Sequence, residues 1–264
     1  MKHPLLKKDR YQTAPGKEKL LHRLLFRSRI YYVIRFLLVV FHSWPKARAN
    51  RLSREDWYNS SLAMFNFIED CGGIFNIRGL EKLKAVDTPV VIIGNHMSTL
   101  ETVILPFLVL PFRYAIFVIK EQLFKIPFFG PYTKSTGCIG VTRKSPSEDF
   151  KQVMQKGSLK IQSGQSVIIF PQSTRDTIFN PDNFNSLGIK LAKRNKVPVV
   201  PLALKTDFWT SGKIIKDFGP LDLSKKIFFE FGEPFEVKGS GKEEHQKVVE
   251  FIKGRLQKWK TEES

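Results

Sequence analysis

Acidic side chains are scarce in this chain, above all near its start. The 264 residues carry 25 Asp and Glu against 43 Lys and Arg, a formal charge of +18 at pH 7. Through Arg54, only Asp9 and Glu18 oppose the basic residues. That imbalance implies an anionic partner: nucleic acid, an acidic membrane surface or a phosphorylated substrate. Cysteine is scarcer still. Cys71 and Cys138 are far apart and show no metal-ligand spacing, so they read as buried free thiols, which fits a reducing compartment. A cleavable signal peptide is not evident, because the basic opening runs into more charge. The uninterrupted apolar run after Arg35 is too short to span a bilayer comfortably. Internal repeats and low-complexity tracts are missing too. What is present is a core: 42% apolar residues, enough to exclude wholesale disorder, in a length that suits one large domain or a domain with an appendage.

Residues 1–18 read as a flexible basic lead. From Lys19 to Trp44 the pattern becomes an apolar helix candidate interrupted by Arg23, Arg27, Arg29 and Arg35, with Pro45 following its end. Such a helix suits a membrane interface, where arginine stems lie in the apolar boundary while their heads reach out. Anionic headgroups would attract it by about 1 kcal/mol per well-placed Lys or Arg. The alternative is a helix that merely packs on the protein body. A second helix spans Ser53 to Glu69, with Ser53 as N-cap, and Gly72-Gly73 ends it. The expected division is a basic lead and helical pair over 1–72, then an α/β domain over 73–264.

Short β-branched runs then alternate with helical patterns. Strands are predicted at Ile74–Arg78, Pro89–Gly94, Arg113–Ile119, Cys138–Arg143, Gln165–Phe170, Val197–Leu204, Lys213–Gly219 and Lys225–Gly232. Helices are predicted at Thr99–Leu110, from Lys120, at Ser147–Gln162, Phe184–Asn195 and Glu243–Lys260. The two prolines of Val197–Leu204 place that strand at a sheet edge or give it an irregular start. The aromatic segment Ile126–Tyr132 is too apolar for an ordinary exposed loop, so the core, a lipid chain or a membrane should cover it. The expected fold is α/β: a mostly parallel central sheet with helices on both faces, preceded by an N-terminal membrane-contacting helical hairpin.

In such sheets the active crevice lies outside the carboxyl ends of the strands, and three chemically loaded turns fall there. In Asn95-His96-Met97-Ser98-Thr99-Leu100-Glu101, Ser98 fits a helix N-cap and Glu101 the acidic position of a capping box. Glu101 thus points back toward His96, a pairing that suits a general base and its orienting carboxylate. The bland reading of the same residues is a cap and a turn. The second turn carries Arg143. The third is Pro171-Gln172-Ser173-Thr174-Arg175.

Together these segments resemble the glycerolipid acyltransferase family, of the 1-acyl-sn-glycerol-3-phosphate acyltransferase type. The family's Asn-His block with an acid five residues after the histidine is Asn95-His96 through Glu101. Its glycine-led stretch ending in arginine is Gly137 to Arg143. Its Phe-Pro-Glu-Gly-Thr-Arg block is Phe170-Pro171-Gln172-Ser173-Thr174-Arg175, and its Val-Pro-Val-Val-Pro strand is Val197 to Pro201. The likeness runs from about Ile74 to Pro234. Three positions depart: Glu101 stands for the usual aspartate, Gln172 for glutamate and Ser173 for glycine. Gln172 carries no charge but still bonds a hydroxyl.

The resemblance implies transfer of a fatty acyl group from an acyl thioester to a lysophospholipid hydroxyl, foremost 1-acyl-sn-glycerol-3-phosphate to give phosphatidic acid, without a covalent enzyme intermediate. His96 and Glu101 would be catalytic. Asn95, Lys120, Arg143, Gln172, Ser173, Thr174 and Arg175 would bind substrate, the arginines by matching phosphate oxygens with guanidinium forks. No metal or cofactor is expected, and acyl-CoA or acyl-ACP would serve as co-substrate. The expected partners are an anionic phospholipid membrane, the thioester donor and a phosphate-bearing lipid acceptor, with no nucleic acid, and the expected place is peripheral or monotopic on a cytoplasmic membrane face. Another acceptor (glycerol-3-phosphate, a different lysophospholipid or an acylated amino-acid lipid) remains open, as does a non-catalytic lipid-binding protein on this fold.

Overall fold

The structure is a computed structural model and describes residues 3, 5, 9–14, 16–20, 22, 29–127, 129–172, 174–212 and 219–263. The expected strand at Lys213–Gly219 falls almost wholly outside these residues, as do Ser173, Phe128 and much of the basic lead.

One eight-stranded sheet organises the chain, in the order β1-β2-β8-β7-β3-β6-β4-β5. The strands are β1 (Arg10–Gln12), β2 (Phe75–Arg78), β3 (Val91–Gly94), β4 (Ala115–Lys120), β5 (Ile139–Val141), β6 (Ser166–Ile169), β7 (Val199–Lys205) and β8 (Ile227–Phe231). The seven helices are α1 (Arg29–Arg48), α2 (Arg54–Asp70), α3 (Leu100–Val109), α4 (Phe129–Ser135), α5 (Pro146–Gln162), α6 (Leu187–Asn195) and α7 (Lys242–Glu263) among the described residues.

β7, β3, β6, β4 and β5 are parallel neighbours. The sheet as a whole is mixed, which corrects the expectation of a mostly parallel one. β8 runs antiparallel to β7, because the described residues joining them hold no helical crossover and a parallel return needs one. β2 then lies parallel to β8 and β1 antiparallel to β2. Arg10–Gln12, expected to be loose, is therefore the edge strand.

A second correction concerns the edge placement of β7: the strand lies inside the sheet, between β8 and β3, despite Pro201. The other expectation, an irregular start, is met, since Val197 and Pro198 precede the strand and Val199 bridges Phe235 outside the β7–β8 ladder. The Pro201 carbonyl accepts from Gly232 N–H at 2.8 Å, one residue beyond the end of β8. In a strand the absent N–H would face the same side, so the loss is one bond at the Gly232 pair, just past β8, before pairing resumes between Val199 and Phe235. A third correction is Pro45, which sits inside α1 rather than after it.

Helices cover both faces, as expected. Alternation along the strands sends Ile92, Ile168 and Val200 to one face, with Phe36 of α1, Phe65 of α2 and Phe107 of α3. Val91, Ile93, Val167 and Val199 face the other way, against Val153 of α5, Leu191 of α6 and Ile252 of α7. α2 starts as its sequence requires: the Ser53 hydroxyl accepts from Asp56 N–H, and the Asp56 carboxylate accepts from Ser53 N–H. Among the described residues, no helix is long and apolar enough to cross a membrane. α1 packs on the protein through Tyr32 and Phe36 but leaves Ile34 (50% exposed), Leu38 (58%) and Phe41 (46%) uncovered.

Candidate active site

β3 lies between β7 and β6, and the chain turns sharply where it ends. Asn95 secures that turn. Its Nδ2 donates to the Leu204 carbonyl at 2.8 Å and its Oδ1 accepts from Leu204 N–H at 2.9 Å. With its amide spent on β7 and only 1% of its surface exposed, Asn95 belongs to the scaffold. Asn95 is not among the residues lining the cavity beside His96.

His96 follows. Its Nδ1 lies 2.8 Å from Glu101 Oε1. Its ring stacks on Phe170 with centroids 4.6 Å apart and planes 6° from parallel. With Nδ1 committed to Glu101, Nε2 is the remaining basic nitrogen of a ring that lines an open cavity. The loop after β6 also holds the His96 backbone at both polar groups. Gln172 Oε1 accepts from His96 N–H at 2.8 Å, and the His96 carbonyl accepts from Asp176 N–H at 2.9 Å. Gln172 is buried and holds the His96 turn in place through this bond.

Glu101 is fully buried. Burial alone would raise its pKa, but hydrogen bonds from His96, Thr206 and the Ser98 backbone, with the charge of His96, outweigh burial and hold it below the usual carboxylate range. The donors are close: Met97 N–H at 2.7 Å, Ser98 N–H at 2.9 Å and Thr206 Oγ1 at 2.5 Å. The capping box appears in altered form. Glu101 takes Ser98 N–H as expected, but the Ser98 hydroxyl accepts from Leu100 N–H at 3.1 Å and the helix begins at Leu100.

The cavity beside His96 has a volume of about 330 Å³. Lys120, Arg143 and Arg175 bring positive charge to its wall, together with His96 and Thr99. Arg175 Nη1 donates to Thr99 Oγ1. Arg143 sits in the left-handed backbone region at φ 59°. Asp149, in the first turn of α5, holds that conformation by accepting from Thr142 N–H and Arg143 N–H, each at 2.7 Å. Partial burial, then the nearby Arg175, lowers the Arg143 pKa against the pull of Asp149. Two cations held this close favour an anion between them. Gly140 has its own reason to be glycine: an added Cβ would lie 2.5 Å from the Phe124 ring, which packs against β5 there. Thr174 is exposed and is not among the cavity-lining residues.

A second cavity of about 120 Å³ continues from the first between α1, α2, α3 and α4. The two share Phe36, Val40, Thr102, Phe117, Ile119, Leu123 and Phe129. The inner one is walled almost wholly by apolar groups and reaches Tyr132 and Cys138. Both cysteines are free. Burial pushes the Cys138 thiol up, and burial with nearby Asp70 pushes that of Cys71 up to about 12.

The structure brings His96, Lys120, Arg143 and Arg175 onto one cavity wall, with Glu101 behind His96. Not foreseen from the sequence were Phe170 as a stacking platform, Asp149 as the anchor of the Arg143 turn, and Thr206. Phe170 and Asp149 lay in segments already singled out; Thr206 had no local signal at all.

Comparison with known proteins gives a consistent picture. The family profile described as Acyltransferase matches residues 74–205. A 1-acyl-sn-glycerol-3-phosphate acyltransferase of Pseudomonas aeruginosa is 33% identical over 129 residues, 49% of this chain and 48% of that protein. A chloroplastic 1-acyl-sn-glycerol-3-phosphate acyltransferase of Arabidopsis thaliana is 32% identical over 145 residues, 55% of this chain and 38% of that protein. The chain thus spans about half the length, or less, of these curated relatives. The crystal structure of a 1-acyl-sn-glycerophosphate acyltransferase from Thermotoga maritima superposes with a TM-score of 0.61 at 21% identity, covering 91% of this chain and 97% of that one. That likeness extends to the fold.

Proposed function

This chain belongs to the acyltransferase family, and from that premise we propose that it transfers a fatty acyl group from an acyl thioester to the free hydroxyl of 1-acyl-sn-glycerol-3-phosphate, giving phosphatidic acid. The observation that carries the reading is the His96–Glu101 pair at 2.8 Å on a cavity walled by Lys120, Arg143 and Arg175. A base and an anion site share one space, with an apolar cavity continuing beside it.

In this mechanism His96 Nε2 takes the proton of the acceptor hydroxyl while the buried Glu101 carboxylate stabilises the imidazolium. The acceptor oxygen bonds to the thioester carbonyl carbon. Collapse of the tetrahedral intermediate breaks the C–S bond, and the leaving thiolate takes the proton from His96. Arg143 and Arg175 hold the acceptor phosphate as paired forks. The acyl chain lies in the inner apolar cavity. Neither thiol is placed to form an acyl-enzyme, since burial keeps both protonated.

The same reading puts the protein on an anionic membrane, as a peripheral or monotopic enzyme of the cytoplasmic face. Ile34, Leu38 and Phe41 present an exposed apolar stripe on α1, and neighbouring Leu37 and Phe36 line the cavity. Lipid substrates would then reach the site without crossing water. The test is turnover by purified protein on mixed micelles with lysophosphatidic acid and either acyl-CoA or acyl-ACP, beside glycerol-3-phosphate and other lysophospholipids. Phosphatidic acid should form. Acylation of a different acceptor with none of lysophosphatidic acid would overturn the assignment.

A further inference from the structure

The fourth of the family-like blocks, the strand from Val197 to Pro201, has no side chain on the cavity wall. Its continuation supplies what the active-site turn rests on. β7 ends at Lys205, and the next residue, Thr206, is completely buried. Thr206 Oγ1 donates to Glu101 Oε2 at 2.5 Å. The Ser98 hydroxyl lies 3.0 Å from both Thr206 Oγ1 and Glu101 Oε2, and it accepts from Leu100 N–H at 3.1 Å.

Counting hydrogens settles the direction of this chain. Glu101 is ionised and only accepts, so Thr206 must give it its one hydroxyl proton. Thr206 Oγ1 is then free to accept from Ser98, whose oxygen accepts from the first turn of α3. The result is a relay from Leu100 N–H through Ser98 and Thr206 to Oε2. Oε1, the other carboxylate oxygen, takes Met97 N–H and Ser98 N–H as well as His96 Nδ1. A carboxylate is planar, so fixing one oxygen fixes the aim of the other.

We infer that Thr206 is a positioning residue for the reaction. Its hydroxyl locks the rotation of the Glu101 carboxylate, and through it the Nδ1–H tautomer and orientation of His96. The strand β7 would thus serve catalysis from outside the substrate cavity, by delivering Thr206 to Glu101 and the Leu204 backbone to Asn95. Ser98 and Thr206 are the hydroxyls within hydrogen-bond distance of this carboxylate among the described residues, and in the relay Thr206 gives its proton to Oε2 while Ser98 gives its own to Thr206. Lys120, Arg143 and Arg175 share the cavity wall with His96, and Asp207, next in the chain after Thr206, is paired with Lys205 and Lys225.

This inference rests on the proposed dyad, and the test separates the two. Proton NMR of the full chain reads the His96 Nδ1–H directly: a downfield imidazole resonance present in the wild type and absent from His96→Ala. Thr206→Val, which keeps the shape and loses the hydroxyl, should broaden or abolish that resonance. It should also lower kcat about tenfold or more while leaving both KM values near wild type. Thr206→Ser should restore both. If Thr206→Val does not fold, Thr206→Ser against Thr206→Ala gives the same comparison. A folded Thr206→Val protein with the resonance and kcat intact would overturn the inference, as would Thr206→Ser as impaired as Thr206→Val. A wild type without the resonance would remove the dyad and this inference together. A wild type with the resonance but no phosphatidic acid synthesis would sink the function alone, leaving Thr206 to be judged on the spectrum.

Discussion

Replacing Glu101 with Gln should separate its charge from its shape. The carboxylate is fully buried and is approached by His96 Nδ1, Met97 N–H, Ser98 N–H and Thr206 Oγ1, all within 2.9 Å. An amide offers one acceptor oxygen where the carboxylate offers two, so donors must be left facing an NH2 group. Hydrogen bonds to a charged group contribute about 1.5–3 kcal/mol each. Losing the one that steadies the imidazolium should slow kcat by about 10- to 150-fold. KM for either substrate should change little, because Glu101 touches neither. Glu101→Asp keeps the charge on an arm one methylene shorter and should be milder. The assay is steady-state acyl transfer over a range of each substrate, on protein shown to be folded by circular dichroism and thermal melting. A folded Glu101→Gln protein with wild-type kcat would refute the reasoning. The pH dependence of stability has a definite sign as well. Glu101 is held below the usual carboxylate range, so its contribution is present above the unfolded value, about 4.3, and is lost as pH falls through the lower folded value. The wild type should therefore lose stability on acidification more steeply than Glu101→Gln, as denaturant melts at successive pH values would show. Equal slopes would contradict this.

Gln172→Leu leaves the His96 N–H without its partner and should cost about 1–3 kcal/mol of stability together with kcat; unchanged melting and turnover would clear Gln172 of that role. Arg175→Ala should raise the acceptor KM sharply, and Arg175→Lys should restore it only in part, because a point charge does not match a phosphate as a fork does; an effect confined to the thioester KM would reverse the placement of the two substrates. Leu38→Asp with Phe41→Asp removes the exposed apolar stripe of α1 and should weaken flotation with anionic vesicles, as should added salt; undiminished flotation would place the membrane contact elsewhere.

Much of this architecture was legible in the sequence because its signals are local. Ser53 and Asp56 announce the start of α2 within four residues, and the β-branched runs at Val91–Gly94 and Ser166–Ile169 announce buried strands. The parts that were misread depend on distant partners. Pro201 argues for an edge strand only while one ignores that its missing donor falls at Gly232, just past the end of β8 at Phe231, so that a single bond is lost. The antiparallel return of β8 depends on a connection without a helix, which periodicity does not reveal. What holds Asn95 and Gln172 is likewise beyond local reach. Their partners, Leu204 and the His96 backbone, are 109 and 76 residues away. Thr206 follows an unremarkable strand end, and its meaning comes entirely from Glu101, 105 residues earlier.

The central claim is that His96 is the base that activates the acceptor hydroxyl. It is tested most directly by His96→Ala, assayed for phosphatidic acid formation at saturating lysophosphatidic acid and acyl thioester beside the wild type. The pair at 2.8 Å from Glu101 predicts a fold-preserving loss of kcat of about 100- to 10,000-fold. A folded His96→Ala protein that turns over at a rate near wild type would contradict the account.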